Sequence, residues 1–185
     1  MSYIPRELNA TGLFLEFGVR DAGTICHLAK RTRNITWHGF DSFQGLPTTA
    51  TASDRWKAGL YSRDSAVPTI SDDIRNVRLH KGWFNESLKP FLKRHPGQPV
   101  AFMHCDADIY ESTREVLYTI FSQGRQRVGT VIAFDELFGT RLQTEHEYRA
   151  LQETVRFFNI SYRFISYALT PGSPFARAAV QIVQP

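Results

Sequence analysis

The stretch from Phe102 to Thr113 constrains the fold of this chain more than any other. The apolar run from Val100 to Met103 predicts a short buried strand, which leads through Asp106-Ala107-Asp108 into an amphipathic helix. Two carboxylates at the end of a buried strand are costly unless a cation meets them. In an open α/β sheet, ligands also bind at that end of the strands. The stretch therefore predicts a strand, a turn and a helix that together carry a site.

A second predicted strand, Val131 to Phe134, ends in the same way, because it runs directly into Asp135 and Glu136. If the two strands are neighbours in a parallel sheet, four carboxylates meet on one rim. That arrangement indicates a divalent metal site, a catalytic base, or both. The alternative is that each acid caps a helix or lies in its first turn, where Asp is favoured. This alternative explains a single acid better than it explains the repeated pattern.

Predicted strands and helices alternate along the chain. The strands are expected over 13–18, 35–40, 76–80, 99–105, 128–134, 162–169 and 176–183, and the helices over 22–33, 85–94, from 110 and from 144. Only the last two strands have no helix between them, so they should form an antiparallel hairpin. The pattern predicts a Rossmann-like α/β fold with a mostly parallel seven-stranded sheet, helices on both faces, and one domain over residues 1–185.

Two helix starts are predicted from capping chemistry. Asn85 or Ser87 should cap the second helix, and the later cap would leave Pro90 in the first turn. Thr144-Glu145-His146-Glu147 reads as a capping box, with His146 on a solvated helix.

The first β-α-β unit has features of a nucleoside site. Glu16-Phe17-Gly18 makes a glycine-bearing turn, and Asp41 ends the second strand, where an acid accepts hydrogen bonds from ribose hydroxyls. Val19-Arg20-Asp21 would crowd a pyrophosphate, which favours a nucleoside without a diphosphate over NAD. A plain strand–turn–helix connection explains the same residues equally well.

The segment from Ser42 to Ser71 is the longest stretch without predicted secondary structure. A loop of that length inside a compact domain is usually functional. Phe43, Trp56 and Tyr61 give it apolar side chains to pack, so we interpret it as a lid over the acceptor.

Composition excludes several classes of protein. The net charge of +4 is scattered, and the basic clusters at 30–33 and 125–127 lie where helices should end, so no nucleic-acid partner is expected. No apolar run reaches the roughly 18 residues that a membrane span needs, and the N-terminus has no signal-peptide core. Cys26 and Cys105 form no metal-binding spacing and suit reduced thiols. These features predict a cytoplasmic protein with no membrane partner.

Five strings of residues together resemble the macrocin O-methyltransferase family. They are Leu15-Glu16-Phe17-Gly18-Val19, Phe40-Asp41-Ser42-Phe43-Gln44-Gly45-Leu46-Pro47, Lys81-Gly82-Trp83-Phe84, Asp106-Ala107-Asp108-Ile109-Tyr110-Glu111-Ser112-Thr113 and Ile132-Ala133-Phe134-Asp135-Glu136, and the resemblance covers about residues 12 to 170. Members are class I S-adenosylmethionine-dependent enzymes that methylate sugar hydroxyls of natural products with Mg²⁺. The resemblance therefore implies a class I methyltransferase fold, with S-adenosylmethionine and Mg²⁺ or another divalent cation as cofactors.

The resemblance also implies roles for individual residues. Asp108 falls on the position of the general base. The metal-ligand positions are Asp106, Asp135 and Glu136. The cofactor side comprises Glu16, Gly18, Thr24, Asp41, Ser42, Phe43, Gly82, Trp83, Phe84 and Asp106. Glu136 stands where the family usually has a second Asp, and we expect the chain to lack the N-terminal extension that covers the site in longer members.

These observations lead to a metal-dependent O-methyltransferase that acts on a hydroxyl of a small, sugar-like acceptor. One alternative is a nucleotide-sugar glycosyltransferase, because Asp-x-Asp also holds Mg²⁺ against a diphosphate. A second alternative is a non-catalytic nucleoside-binding domain. The resemblance leaves a homo-oligomer open.

Overall fold

The computed structural model describes residues 11–48, 56–139, 144–169 and 175–185, and its centre is a seven-stranded sheet. The strands are β1 Leu13–Phe17, β2 Trp37–Asp41, β3 Val77–Lys81, β4 Val100–Cys105, β5 Val131–Phe138, β6 Ser161–Leu169 and β7 Ala176–Gln184. Their order is β3-β2-β1-β4-β5-β7-β6. The first five are parallel, and β7 runs antiparallel to both β5 and β6. The predicted fold class, including the C-terminal hairpin, is confirmed.

Strands β1 and β4 lie at the middle of the sheet because their sequences suit burial on both faces. Every residue of Leu13–Phe17 and of Val100–Cys105 is buried. A parallel strand that is covered on both sides reads as a continuous apolar run rather than an alternating one. The two strands that carry Gly18 and Asp106 at their carboxyl ends are therefore neighbours.

Within the described ranges, four α-helices cover the two faces of the sheet. They are α1 Gly23–Arg31, α2 Phe84–Arg94, α3 Tyr110–Ser122 and α4 Arg149–Phe157. Helix α1 packs on one face through Ile25, Leu28 and Ala29, while buried residues of the other three helices share a core cluster on the opposite face. This placement leaves the carboxyl ends of β1, β2, β4 and β5 along one edge of the sheet.

The start of α2 differs from the prediction. The helix begins at Phe84, and its N-cap residue Trp83 makes no side-chain capping bond, so neither Asn85 nor Ser87 is the cap. Pro90 consequently lies in the second turn rather than the first. The helix buries Leu88, Phe91 and Leu92, and packing of an apolar face stabilises a helix more than its intrinsic propensity does.

The capping box predicted at Thr144 is also wrong. Residues Thr144–Tyr148 form a π-helical turn in which His146 has non-helical angles, φ −108° and ψ −105°. Glu147 is buried, and its carboxylate accepts a hydrogen bond from the backbone N–H of Glu136, in β5. Tertiary contact with β5 has therefore replaced the local capping interaction.

Strand β5 is longer than predicted, since it continues to Phe138 with an irregular register between Phe134 and Phe138. Asp135 and Glu136 thus lie within an irregular part of the strand instead of beyond its end. Such a bulge changes the direction of side chains and is common beside active sites.

Two other observations concern membrane-spanning helices and thiols. Within the described ranges, no helix combines the length and apolar character needed to cross a bilayer. Cys26 and Cys105 are free thiols. The cytoplasmic location remains a prediction from the sequence.

A pair of neutral histidines joins β2 to β3. Nδ1 of His38 lies 3.1 Å from Nε2 of His80, and both rings pack against Phe91. Burial lowers the pKa of each ring from 6.5 to about 4, helped for His38 by the neighbouring His80 and for His80 by Arg94. Each ring therefore binds fewer protons in the folded chain than in the unfolded chain between these two pH values.

Acid should destabilise the fold through this histidine pair. Because the folded pKa is depressed, the contribution to stability is complete above about pH 6.5 and is lost as the pH falls towards 4. Buried carboxylates whose pKa values are raised act in the opposite direction, so the effect of the pair is isolated as a difference between variants. We expect the free energy of unfolding of the wild type minus that of His80→Gln, measured by urea titration, to fall as the pH falls across this range. The same difference for His27→Gln, which replaces an exposed histidine on α1, should stay constant. A constant difference for His80→Gln would contradict the assignment.

Candidate active site

A cavity of about 770 Å³ opens at the carboxyl ends of the parallel strands. Turns after β1, β2 and β4 form its floor, the start of α3 forms one wall, and part of the predicted lid closes another. Its lining includes Gly18, Asp41, Ser42, Leu46, Leu60, Tyr61, Trp83, Phe84, Asp106, Asp108, Glu111, Ser112, Asp135 and Glu136. The size suits a ligand of cofactor dimensions together with part of a second molecule.

The turn after β1 is held by the carboxylate that ends β2. Oδ2 of Asp41 accepts hydrogen bonds from the backbone N–H groups of Val19 and Arg20, at 2.9 and 2.8 Å, and its Oδ1 accepts one from Phe43. Gly18 has φ +86°, and a Cβ atom built there would lie 1.8 Å from the carbonyl oxygen of Asp106. Asp41 was predicted to accept ribose hydroxyls, and this stays a prediction; in the structure its carboxylate fixes the backbone of the turn.

Glu16 lies beneath the cavity rather than on its surface. It is 1% exposed, and its carboxylate interacts with the backbone N–H of Ile25 in the first turn of α1. Burial raises its pKa well above the usual value, with further upward contributions from Asp135 and Asp41. The position suits a residue that supports the turn.

Among the other predicted cofactor residues, some line the cavity and some do not. Ser42, Trp83, Phe84 and Asp106 line the cavity, and the Phe84 ring stands edge-on to Phe17 with centroids 5.5 Å apart. Gly82 directly precedes Trp83 in the sequence and donates its N–H to the carbonyl of Asp41. Phe43 is buried in the core beside α1.

Thr24 lies elsewhere, on a second cavity of about 420 Å³ between α1 and the C-terminal hairpin. Asp135 lines both cavities, so the two adjoin at this carboxylate.

Four carboxylates line the larger cavity, and we call them the acid rim: Asp106, Asp108, Asp135 and Glu136. Burial is the main cause that raises the pKa of Asp106 to about 8, and the charge of Asp135 adds to it. Burial likewise raises the pKa of Asp108 to about 6, against a lowering hydrogen bond from Trp56. Both shifts therefore arise mainly from burial, and the neighbouring carboxylates add to them.

Asp135 differs from its neighbours because it has a cationic partner. Arg177, on β7, donates from Nε to Oδ1 at 2.6 Å and from Nη2 to Oδ2 at 3.2 Å. Burial alone would raise the pKa of Asp135, but His104, 3.9 Å away, and Arg177 bring it to about 2. His104 itself is 8% exposed and lies between Asp135 and Glu16.

Besides Arg177, three side chains at the site were not assigned to it from the sequence. Nε1–H of Trp56 donates to Oδ1 of Asp108 at 3.3 Å, and the Trp56 indole packs on the His146 ring with centroids 4.6 Å apart. Nδ1 of His146 accepts the backbone N–H of Tyr110, so this histidine is not a solvated helix residue. The third is Glu147, whose pKa burial raises well above its usual value, with Asp106 as the next cause.

The described residues of the predicted lid are 42–48 and 56–71, and the second range packs over the turn after β1. The guanidinium of Arg20 lies 5.2 Å from the centre of the Tyr61 ring, and Arg63 pairs with Asp21. The backbone N–H groups of Arg63 and Ser65 donate to the carbonyl of Phe43. Residues 49–55 lie outside the described ranges. Tyr61 and Leu60 line the cavity.

In the described part of the chain, no three His, Cys, Asp or Glu side chains are gathered closely enough to hold an ion. The acid rim supplies the carboxylate oxygens that Mg²⁺ prefers, although Arg177 occupies both oxygens of Asp135.

Comparison with known proteins gives consistent matches. A family described as macrocin-O-methyltransferase matches residues 7–156. Demethyldecarbamoylnovobiocin O-methyltransferase of Streptomyces niveus is 28% identical over 147 residues, which cover 69% of this chain and 53% of that protein. This chain therefore spans about half the length of that curated relative.

Two solved structures share the fold. A calicheamicin methyltransferase, CalS11, superposes with a TM-score of 0.67 at 25% identity, over 94% of this chain and 73% of that one. The O-methyltransferase NovP superposes with a TM-score of 0.63 at 22% identity, over 94% and 72%. The two superpositions leave only a few per cent of this chain unmatched.

Proposed function

Because the chain belongs to the macrocin-O-methyltransferase family, we propose that it transfers a methyl group from S-adenosylmethionine to a hydroxyl group of a small acceptor. The observation that carries the proposal is that one cavity is lined by both the nucleoside turn and the acid rim. A cofactor bound at the turn would thus present its sulfonium group to a surface rich in carboxylates. This arrangement favours a positively charged methyl donor over a phosphorylated one.

In the cofactor half of the cavity, each wall has a proposed role in binding. Gly18 permits close approach of the ligand because it has no side chain, and Trp83 with Phe84 offers aromatic faces for the adenine ring. Asp41 holds the backbone of the turn and lies where ribose hydroxyls would be recognised.

Asp108 is the proposed general base. An alcohol is a poor nucleophile at neutral pH, so a carboxylate that accepts its proton as the methyl moves should contribute roughly 10²–10⁴-fold to the rate. Asp108 has φ +59°, a left-handed conformation that costs energy and recurs at active sites. The hydrogen bond from Trp56 holds one carboxylate oxygen in place. Alignment of the acceptor oxygen with the methyl and sulfur supplies further rate enhancement.

The family resemblance assigns Asp106, Asp135 and Glu136 to a divalent cation such as Mg²⁺. All three offer the hard oxygen ligands that this ion prefers. Their placement does not fit a bound ion, because no three His, Cys, Asp or Glu side chains in the described residues are close enough to hold one.

The proposed acceptor is a sugar-like natural product. One relative is named for methylation of demethyldecarbamoylnovobiocin and another is a calicheamicin methyltransferase. Glu111 and Ser112, which line the cavity at the start of α3, offer hydrogen-bonding groups to a polyhydroxylated molecule.

Ligand titration tests the proposal against its rival. We expect isothermal titration to give saturable binding of S-adenosylhomocysteine, and none of UDP at the same concentrations. Saturable binding of UDP without S-adenosylhomocysteine would favour a glycosyltransferase. A chain that binds S-adenosylhomocysteine but transfers no methyl group to any glycoside offered with Mg²⁺ would fit the non-catalytic nucleoside-binding alternative.

A further inference from the structure

A small apolar cluster joins the lid to the turn that carries Asp108. We call it the lid cluster: Leu46, Trp56 and Ile109, with Leu60 packed against them. Its three central side chains are buried, and the cluster is separate from the two cores that cover the sheet. Ile109 directly follows Asp108 in the sequence. The packing of the lid is therefore connected to the backbone beside the proposed base.

Backbone hydrogen bonds tie the two described segments of the lid together. The N–H of Leu46 donates to the carbonyl of Leu60 at 2.9 Å, and the N–H of Gly59 donates to the carbonyl of Leu46 at 2.8 Å. Leu46 and Leu60 line the cavity, whereas Trp56 does not. Trp56 thus belongs to the segment that a bound acceptor would touch, but it acts on the acceptor only through its neighbours.

The Trp56 indole also fixes the direction of the Asp108 side chain. Its Nε1–H donates to Oδ1 of Asp108 at 3.3 Å, while its ring packs on His146 with centroids 4.6 Å apart. Nδ1 of His146 in turn accepts the N–H of Tyr110 at 3.2 Å. The indole and the imidazole therefore hold the side chain and the backbone of one turn, in which Asp108 has the left-handed φ of +59°.

We propose that Trp56 is a positioning residue for Asp108, through which the packing of the lid aims the carboxylate at the acceptor hydroxyl. This inference rests on the proposed function, in which Asp108 is the base. The acceptor oxygen forms its bond to the methyl carbon as the bond from that carbon to sulfur breaks, and sulfur keeps the electron pair. The hydroxyl proton passes to Oδ2 of Asp108, because Oδ1 already accepts the indole N–H.

Trp56→Phe removes the N–H and keeps an aromatic ring in the lid cluster. A displacement of about 1 Å at a reacting group can cost roughly 10²-fold in rate, so we expect kcat to fall about 10–100-fold. Because Trp56 does not line the cavity, the KM for the acceptor and the affinity for S-adenosylhomocysteine should stay at wild-type values. Initial rates with a glycoside that the wild type methylates, and isothermal titration, measure these quantities.

The double variant Trp56→Phe/Asp108→Asn separates positioning from a general defect. If Trp56 acts through the base, its replacement should have no further effect once the base is gone, so the double variant should have the kcat of Asp108→Asn alone. A general defect of the lid would instead lower kcat by the same factor in both backgrounds.

Trp37→Phe is the matched control. The Trp37 indole is buried, and its Nε1–H donates to Oγ1 of Thr32 at 2.8 Å, so this variant also loses a buried ring and an indole hydrogen bond. Trp37 does not line the cavity. We expect wild-type turnover per folded chain from this control.

Nuclear magnetic resonance tests the contact without any acceptor. The sequence has three tryptophans, so the ¹⁵N-labelled chain gives three indole N–H signals, which single replacements assign. A bond to a neutral amide is weaker than one to a carboxylate, so Asp108→Asn should move the Trp56 signal and leave that of Trp37 in place. This measurement decides the contact even if Trp56→Phe does not fold.

Three results would overturn the inference: wild-type kcat in Trp56→Phe, an equal fold loss in both backgrounds, or an unmoved Trp56 signal in Asp108→Asn. Failure of the proposed function looks different, because the wild-type chain would then transfer no methyl group or Asp108→Asn would keep full turnover. A fully active Trp56→Phe beside an inactive Asp108→Asn would remove the role of Trp56 alone.

Discussion

Asparagine in place of Asp108 is expected to lower the kcat of methyl transfer by about 10²–10⁴-fold and to leave the binding of S-adenosylhomocysteine unchanged. The amide cannot accept a proton from the acceptor hydroxyl at neutral pH. The proposed position of Asp108 is on the acceptor side of the cavity, so the cofactor half should lose no contact. Turnover under saturating cofactor and isothermal titration of S-adenosylhomocysteine measure the two effects separately.

Asparagine is the appropriate replacement because it preserves the local structure. Asp108 is left-handed, with φ +59°, and asparagine is one of the few residues that adopt this conformation readily. Its side-chain oxygen can still accept the Nε1–H of Trp56. A loss of turnover would then report the missing base rather than a displaced loop.

Asp64→Asn makes the same chemical change on the lid. Asp64 is exposed and also left-handed, with φ +50°, and it does not line the cavity. We expect normal turnover from this variant. If Asp108→Asn retained wild-type turnover, Asp108 would not be the base, and the acceptor proton would have to reach another group.

The predictable part of this fold is the part governed by burial on two faces. Val100–Met103 and Val131–Phe134 were predicted as strands because central parallel strands have no polar face to interrupt the apolar run. The convergence of the acids at one edge followed from the same reasoning, since parallel strands end together. The end of β5 was missed because Asp135 and Glu136 read as the close of a strand, while Leu137 and Phe138 continue it.

The part that escaped prediction depends on tertiary packing between distant segments. Trp56 reaches Asp108 across 52 positions of sequence, and Arg177 reaches Asp135 across 42. No local sequence pattern could reveal either pair. The path of the lid decides the first contact, and the register of the hairpin decides the second. Glu147 was misread because its spacing from Thr144 matches a capping box. In the structure its carboxylate instead accepts a hydrogen bond from the backbone N–H of Glu136.

Gly18→Ala should be among the most destabilising single substitutions in the chain. The new Cβ would lie 1.8 Å from the carbonyl oxygen of Asp106, and that oxygen belongs to backbone between β4 and α3 that cannot rotate away. The φ of +86° adds a further cost for any residue with a side chain. Together these terms predict a loss of about 2–4 kcal/mol in the free energy of unfolding, measured in urea.

Gly23→Ala is the matched control for this substitution. Gly23 is the first residue of α1, and an added Cβ has nothing within 4 Å. Because alanine is favoured over glycine in a helix, stability should be unchanged or slightly higher in this variant. The contrast removes the generic effect of a glycine-to-alanine change and isolates the clash at Gly18.

The same substitution should also abolish binding of S-adenosylhomocysteine in whatever fraction of Gly18→Ala remains folded. Gly18 lines the cavity, and relief of the clash requires the β1 turn to separate from Asp106, which moves both walls that would face the cofactor. Titration below the urea transition measures this directly. A Gly18→Ala chain with wild-type stability and wild-type ligand affinity would mean that the ends of β1 and β4 are not in contact, and the site derived from that contact would have to be abandoned.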